Sequence, residues 1–433
     1  MALLAQRLEE LLSEPLTTPP RRLSSGASRE TWAFATAAHG DLFAQIDRGG
    51  PQLIERPPQA PLMRAAAEAG VPVPAVVAAG DEDDVLGAGW TVVQAVSGTT
   101  DPGEILTGDA PPEQLLDSIA EALAAVHRMP ADDQLAPAVD DPLAMLRGLY
   151  DALDEPHPVF ELAFRALQTD RPVARRTLVH GDYRLGNLMV DGGRVTAVLD
   201  WEGAHLGDPT EDLGWLCVRA WRFERPDRPA AGLGSREQLL AAYERHAGVL
   251  VDPADLAWWE LAGTLRWGLI TVMQAHAHLS GTIRSVEHAV IGRRTCEVEW
   301  DLLELLDPGG PEFTPGALPD EPPTLHDRPT PGELLEAARS ALGDDVLPEL
   351  SGRAAFQTRV TMRALGIVQR ELASRAADDA LRSAALGQLG VSDERDLATA
   401  VRAGDFVARE PELLASLRAL VRAKLATANP RHV

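Results

Sequence analysis

The sequence predicts an α+β fold in which a small β-rich unit is followed by a helical unit and then by a small all-α bundle. Short apolar runs bounded by turn residues dominate the first part of the chain. From Pro112 onward the apolar residues recur with the period of an α-helix. Eight prolines between 307 and 332 then separate the last helical patterns from the rest. We therefore expect a β-rich unit at 1–98, a helical unit at 99–308, a linker at 309–330 and a helical domain at 331–433.

Composition excludes several classes of partner. The chain has 433 residues and a net charge of -25 at pH 7, whereas nucleic acids and anionic membranes bind basic surfaces. Two cysteines are too few for a disulfide framework. The first residues form an acidic amphipathic pattern that lacks the basic region of a signal peptide. We expect a cytoplasmic protein with neither a nucleic acid nor a membrane as its partner.

The β-rich unit is predicted to begin, after an opening helix, with a hairpin. Its serine-rich turn contains Gly26 and Ser28, and a strand returns at 31–34. A further strand is expected at 41–48, a helix at 60–69, and a last strand at 89–100 that leads out of the unit. On its own, one glycine in such a turn indicates only an ordinary hairpin.

Helical patterns account for most of the remaining chain. In the first of them Leu115, Ile119, Leu123 and Val126 share one face, and His127 is expected to satisfy carbonyl groups at the helix end. Thr330 and Glu333 have the spacing of a capping box at the start of the C-terminal domain. The other predicted helices lie at 143–153, 161–167, 236–246, 253–278, 286–306, 333–342, 353–373, 380–389, 394–403 and 412–426.

Polar side chains lie where three short strands of the central stretch begin or end. The strands are predicted at 177–179, 188–190 and 195–199, with a tight Asp-Gly-Gly hairpin between the last two. Asp182 follows the first strand, Asn187 precedes the second, and Asp200 ends the third. Because the open ends of a hairpin meet, Asn187 and Asp200 should face each other. Two oxygen ligands of this kind suit Mg²⁺, which takes its other ligands from water and phosphate.

Asp182 lies on the preceding loop and can point across such a metal site toward an incoming hydroxyl group. Phosphoryl transfer needs this arrangement, because it requires mainly a positioned nucleophile and metal charge. Alternatively, each Asp or Asn could merely cap a strand or a turn. The agreement of the whole constellation with the strand boundaries favours the catalytic interpretation.

Two segments of this stretch carry a family resemblance, namely VHGDYRLGNLMV and VLDWEGAHLGDPTEDLGWL. They resemble the catalytic core of the aminoglycoside phosphotransferase-like kinases, small-molecule kinases similar in fold to protein kinases. The resemblance implies a two-lobed protein kinase-like fold that uses Mg²⁺ and ATP, with GTP as an alternative nucleotide. It also implies Asp182 as catalytic base, Asn187 and Asp200 as Mg²⁺ ligands, and Asp212 as an internal brace of the catalytic loop.

The same resemblance assigns the nucleotide side of the site. The turn with Gly26 and Ser28 would lie over the phosphates, and residues 94–97 would form the hinge that contacts adenine. The strand that usually carries a phosphate-binding Lys or Arg has Gln45 at that position, and its usual Glu partner is replaced by Gln59. The implied nucleotide contacts are Gly26, Ser28, Gln45, Arg48 as the nearest cation, Gln94 and Val96.

The resemblance leaves function open at two points. The chain is expected to phosphorylate a hydroxyl group of a small molecule, either a metabolic hydroxy compound or an aminoglycoside-like antibiotic. A nucleotide-binding pseudokinase or scaffold is the alternative, and Gln45 and Gln59 favour it.

The C-terminal helices resemble an uncharacterised domain fused behind such kinases in bacteria. We expect them to form a homodimerisation or interaction module rather than to determine substrate specificity.

Overall fold

The computed structural model describes residues 2–25, 29–47, 55–80, 86, 89–173, 175–309 and 328–432. The chain forms two compact units. The first contains Met1–Asp141 and Arg171–Gly263, and the second contains Pro142–Asp170 and Thr264–Val433. This division differs from the boundaries expected from sequence, because the C-terminal helices share a unit with helices from the region 99–308.

The first unit opens with helix α1 (Ala2–Leu12) and a five-stranded antiparallel sheet of order β1-β2-β3-β5-β4. Alternate residues of its strands, such as Leu42 and Ala44, are fully buried and pack with Leu8 of α1. This confirms the predicted β-rich beginning of the chain. The other elements are β1 (Leu16–Ser25), β2 (Arg29–Thr36), β3 (Gly40–Asp47), α2 (Gln59–Glu68), β4 (Val76–Gly80) and β5 (Trp90–Gln94).

Helices follow the sheet, as the change of period predicts. The residues Leu115, Ile119, Leu123 and Val126 are all buried on one helix. The helices before residue 177 are α3 (Pro102–Thr107), α4 (Pro112–His127), α5 (Pro142–Leu153) and α6 (Pro158–Ala166). Of these, α5 and α6 belong to the second unit.

The central stretch, residues 177–217, has the predicted strands. β6 (Thr177–Val179), β7 (Leu188–Asp191) and β8 (Arg194–Val198) lie within a residue of their expected bounds. β7 and β8 pair across a turn in which Gly192 and Gly193 both have positive φ, and β6 pairs instead with a later strand, β9 (His205–Gly207). The helices α7 (Thr210–Cys217), α8 (Arg236–Ala247) and α9 (Pro253–Leu279) follow.

Two helix predictions in the second unit are wrong. The single helix expected at 286–306 ends at Gly292 and restarts at Thr295, while the two helices expected at 353–373 and 380–389 form one helix of 38 residues. The expected break contains no Gly or Pro and is largely exposed, so its polar residues face solvent within a continuous helix. The helices are α10 (Val286–Gly292), α11 (Thr295–Leu306), α12 (Pro331–Ala341), α13 (Gly352–Leu389), α14 (Glu394–Ala403) and α15 (Glu410–Ala428).

Helix α12 begins with the predicted capping box. The Thr330 hydroxyl accepts from the backbone N–H of Glu333 at 3.2 Å, and the Glu333 carboxylate accepts from the backbone N–H of Thr330 at 2.7 Å. None of the helices in the described ranges has the length and apolar character needed to cross a lipid bilayer.

Candidate active site

Asp182 follows β6 on a turn that requires glycine at the preceding position. Gly181 has φ +76°, and a Cβ there would lie 2.1 Å from the carbonyl oxygen of Gly203. The backbone N–H of Asp182 donates to Nδ1 of His180 at 3.2 Å, and Nε2 of the same ring lies 2.9 Å from the carbonyl oxygen of Leu199. The loop is therefore tied to the end of β8 through a fully buried histidine.

The Asp182 carboxylate accepts three hydrogen bonds. Its Oδ1 accepts from Nε of Arg184 at 3.0 Å and from Nε1 of Trp215 at 2.8 Å, and its Oδ2 accepts from Nδ2 of Asn187 at 2.7 Å. About a quarter of the side chain (26%) remains exposed. A carboxylate has about four acceptor positions, so the three donors fix its orientation and leave one position for a ligand.

Asp212 braces this loop from beneath. Its buried carboxylate accepts from the backbone N–H groups of His180 at 2.7 Å and Gly181 at 2.9 Å. Burial opposes ionisation, but the hydrogen bond and charge of His127, together with the contacts of His180, outweigh it and hold the pKa of Asp212 below its usual value. His127 itself bridges Asp212 at 3.2 Å and the Tyr243 hydroxyl at 2.8 Å. The expectation that it satisfies helix-end carbonyls is therefore wrong, since its partners are distant in sequence.

The expected metal ligands Asn187 and Asp200 lie at neighbouring ends of the β7–β8 hairpin. The backbone N–H of Leu199 donates to the carbonyl oxygen of Asn187 at 2.8 Å, which aligns the two ends. Asp200 has the left-handed values φ 59° and ψ 65°. Partial removal from water, together with the charges of Glu202 and Asp182, raises its pKa to about 6. This accumulation of negative charge and oxygen donors fits a divalent cation such as Mg²⁺.

The two glutamines expected to replace the phosphate-binding ion pair are in contact. Nε2 of Gln59, at the start of α2, donates to Oε1 of Gln45 on β3 at 3.1 Å. Both side chains are half-buried. The structure thus places a neutral amide pair at this position.

One cation beside Asp200 has no signal in the sequence. Arg29, at the start of β2, is only 8% exposed, and its Nε donates to Oδ1 of Asp47 at 2.7 Å. Its Nη1 lies 3.7 Å from Oδ1 of Asp200. The three other phosphate-side residues expected from sequence, Gly26, Ser28 and Arg48, lie outside the described residues.

The predicted hinge is only partly available for a ligand. The backbone N–H of Gln94 donates to Ala75, and that of Ala95 donates to Asp41, both at 2.9 Å. The N–H of Gln94 is therefore already used inside the sheet, and a contact of Gln94 with adenine stays a prediction. Across the described ranges, the backbone of Val96 forms no hydrogen bond.

Comparison with known proteins identifies the family of this chain. Residues 20–249 match the model of the phosphotransferase enzyme family, and residues 348–432 match a domain of unknown function, DUF6285. The chain belongs to the phosphotransferase enzyme family. The region that matches DUF6285 contains the helices α13–α15.

The individual proteins compared below share between 16% and 30% identical residues with this chain. A segment of 173 residues is 30% identical to mouse acyl-CoA dehydrogenase family member 10, and covers 36% of this chain but 16% of that protein. A candidate aminoglycoside phosphotransferase from Ralstonia eutropha has a TM-score of 0.54 and 24% identity, over 70% of this chain and 97% of the other. A thermostable mutant of aminoglycoside phosphotransferase APH(4)-Ia, in a ternary complex with AMP-PNP and hygromycin B, has a TM-score of 0.51 and 16% identity, over 72% of this chain and all (100%) of the other. These two structures support the kinase-like fold.

Proposed function

We propose that this phosphotransferase moves the γ-phosphoryl group of ATP, bound with Mg²⁺, to a hydroxyl group of a small molecule. The observation that carries the proposal is the orientation of Asp182, which three donors hold beside the Asn187 and Asp200 positions. Phosphoryl transfer depends mainly on positioning and on charge stabilisation, and this geometry supports both.

In this mechanism the last acceptor position of Asp182 takes the hydroxyl proton of the substrate and aims its oxygen at the phosphorus. Asp212 keeps the catalytic loop in place through the N–H groups of His180 and Gly181. Asn187 and Asp200 would hold the metal ion, which supplies positive charge to the developing phosphate charge when bound. Val96 is the hinge residue whose backbone remains available to adenine or guanine.

ATP is the favoured nucleotide because a relative with the same fold was solved with the ATP analogue AMP-PNP. GTP is the alternative. That relative also holds hygromycin B, so an aminoglycoside-like acceptor has direct support from a similar fold. The net charge of -25 would tolerate such a cationic substrate, but no dense acidic run marks a polycation pocket in the sequence, and we favour a metabolic hydroxy compound.

The pseudokinase alternative rests on the Gln45–Gln59 pair, which removes the usual cation from β3. The kinase and pseudokinase proposals differ in turnover, because a scaffold would bind nucleotide without releasing ADP.

We also propose that the protein forms a homodimer through α12–α15. Analytical ultracentrifugation tests this proposal.

The deciding experiment measures ADP release over a panel of hydroxylated metabolites and antibiotics, with wild type and Asp182→Asn side by side. The amide cannot accept the hydroxyl proton, so turnover should fall by about 10² to 10⁴-fold while Mg²⁺-ATP binding persists. Background ATP hydrolysis serves as the readout if no acceptor is active. Equal rates for the two proteins, at the level of a control without enzyme, would establish the scaffold instead.

A further inference from the structure

We infer that Arg29 on β2 is the phosphate-binding cation of this protein and takes over the task that Gln45 cannot perform. The inference rests on the proposed nucleotide-dependent function and extends it to a residue outside the strand that usually provides the charge. It concerns contact with the phosphate groups of the bound nucleotide.

The register of the sheet brings Arg29 to the right face. In the antiparallel pairing of β2 with β3, Arg29 lies opposite Asp47 and Thr31 lies opposite Gln45. Arg29 and Thr31 are two residues apart, so Arg29 shares a sheet face with Gln45 one step along the ladder. Diagonal neighbours of this kind are about 7–8 Å apart, which an arginine side chain spans.

One nitrogen of the Arg29 guanidinium group is hydrogen-bonded, and another has no hydrogen-bond partner among the described residues. Its Nε donates to Asp47, whereas within the described ranges its buried Nη1 has no hydrogen-bond partner and lies 3.7 Å from Oδ1 of Asp200. A buried donor without a partner is costly, and a phosphate oxygen would satisfy it with a charge-assisted hydrogen bond. Since Asp200 is the proposed metal ligand, Nη1 points at the place where metal-bound phosphates would lie.

Arg56 and Arg184 are further cations of this region, and each is paired with another carboxylate. Nη2 of Arg56 lies 3.6 Å from Oε2 of Glu202, and Nε of Arg184 donates to Oδ1 of Asp182 at 3.0 Å. The alternative for Arg29 is a purely structural pair with Asp47. Any test must therefore separate phosphate binding from the Arg29–Asp47 contact.

The test measures dissociation constants for Mg²⁺-ATP, Mg²⁺-ADP and adenosine by calorimetry. Arg29→Met should weaken the binding of ATP and ADP by about tenfold or more, because their phosphates lose a partner. The affinity for adenosine, which has no phosphate, should stay unchanged. Asp47→Asn breaks the same ion pair but keeps the cation, so its ATP affinity should stay within about threefold of wild type. Arg22→Met, which removes an exposed arginine of β1 paired with Glu30, is the matched control for loss of charge. Arg29→Met/Gln45→Arg should regain ATP affinity, because it returns a cation to the same face.

Arg29→Lys keeps the fold if Arg29→Met does not, since it retains a charge for Asp47. Arg29→Lys should still bind ATP more weakly while its affinity for adenosine is unchanged, because one ammonium group cannot contact both Asp47 and a phosphate group. The inference is overturned if Arg29→Met and Asp47→Asn weaken the binding of ATP and of adenosine to the same extent. It is also overturned if Arg29→Met binds ATP normally while Arg56→Met does not. Wild-type protein that binds ATP in this Arg29-dependent way but never transfers phosphate would refute only the proposed catalytic function.

Discussion

Nζ of Lys424 on α15 donates to both carboxylate oxygens of Glu299 on α11, at 2.9 and 3.3 Å. Nδ1 of His157, just before α6, lies 3.0 Å from the same carboxylate. Arg402 on α14 likewise pairs with Glu161 on α6 at 2.6 Å. Glu299 and Glu161 are each 1% exposed. Ion pairs of two buried glutamates with half-exposed cations therefore join the C-terminal helices to helices that precede the proline-rich segment.

Glu299→Gln should lower the free energy of unfolding by about 2 kcal/mol or more, because it leaves two cationic groups without their buried counter-charge. Denaturant unfolding monitored by circular dichroism measures the effect. Glu371→Gln is the matched control in the same unit, since Glu371 forms an exposed pair with Arg293 at 2.7 Å and should change stability by less than about 1 kcal/mol. Equal effects of the two substitutions would contradict a structural role for the buried pair.

The Glu299 carboxylate should make the free energy of unfolding depend on pH in the acidic range. Burial opposes its ionisation, but Lys424 and His157 outweigh burial and lower the pKa of Glu299 to about 2. The unfolded chain then binds more protons than the folded one between that value and the ordinary glutamate pKa of about 4.5. This contribution is present at neutral pH and is lost as the pH falls from about 5 to 2. The stability gap between wild type and Glu299→Gln should therefore narrow over this window, and a constant gap would refute the assignment.

Limited proteolysis should cut first within 308–330, where the sequence is rich in proline and lacks apolar periodicity. We expect two fragments on a denaturing gel but one species on size-exclusion chromatography. The reason is that the ion pairs Glu299–Lys424 and Glu161–Arg402, whose carboxylates are buried, remain after cleavage. Fragments that separate under native conditions would show that the C-terminal helices form an independent domain.

The strands and the hairpin of residues 177–200 could be predicted from the sequence because their signals are local. Strand ends, a two-glycine turn and the spacing of Asp182 and Asn187 all lie within about two dozen residues, and the structure has them as expected. His127 and Arg29 were missed for the opposite reason. Their partners are fixed by tertiary packing, with 85 residues between His127 and Asp212. The ion pairs of Glu299 were missed as well, because charged residues on helices also fit a solvent-facing surface.

Asp200→Ala should reduce the affinity for Mg²⁺-ATP by more than about tenfold. The substitution removes a carboxylate from a site that faces several phosphate charges, and Asn187 alone cannot replace it. Calorimetry with and without Mg²⁺ provides the measurement. Binding of ATP in EDTA should change little, because the metal contribution is already absent there. A folded variant with unchanged affinity in Mg²⁺ would show that Asp200 is not a metal ligand.

The Gln45–Gln59 contact allows the pseudokinase alternative to be tested by restoring charge. Gln45→Lys/Gln59→Glu replaces the 3.1 Å amide contact with an ion pair at the same positions, one on β3 and one at the start of α2. The fold should tolerate it, because both side chains are half-buried and the new charges neutralise each other.

If Arg29 already serves the phosphates, the added lysine should raise ATP affinity by no more than about tenfold, the value of one further charge-assisted hydrogen bond. Turnover should then change little, and kcat and KM for ATP measured by ADP release report both quantities. Gln45→Lys alone is the control, because its lysine lacks the acidic partner and should destabilise the sheet slightly. A wild type that releases no ADP with any acceptor, beside a double variant that does, would mean that the natural protein has lost the cation it needs and acts as a scaffold.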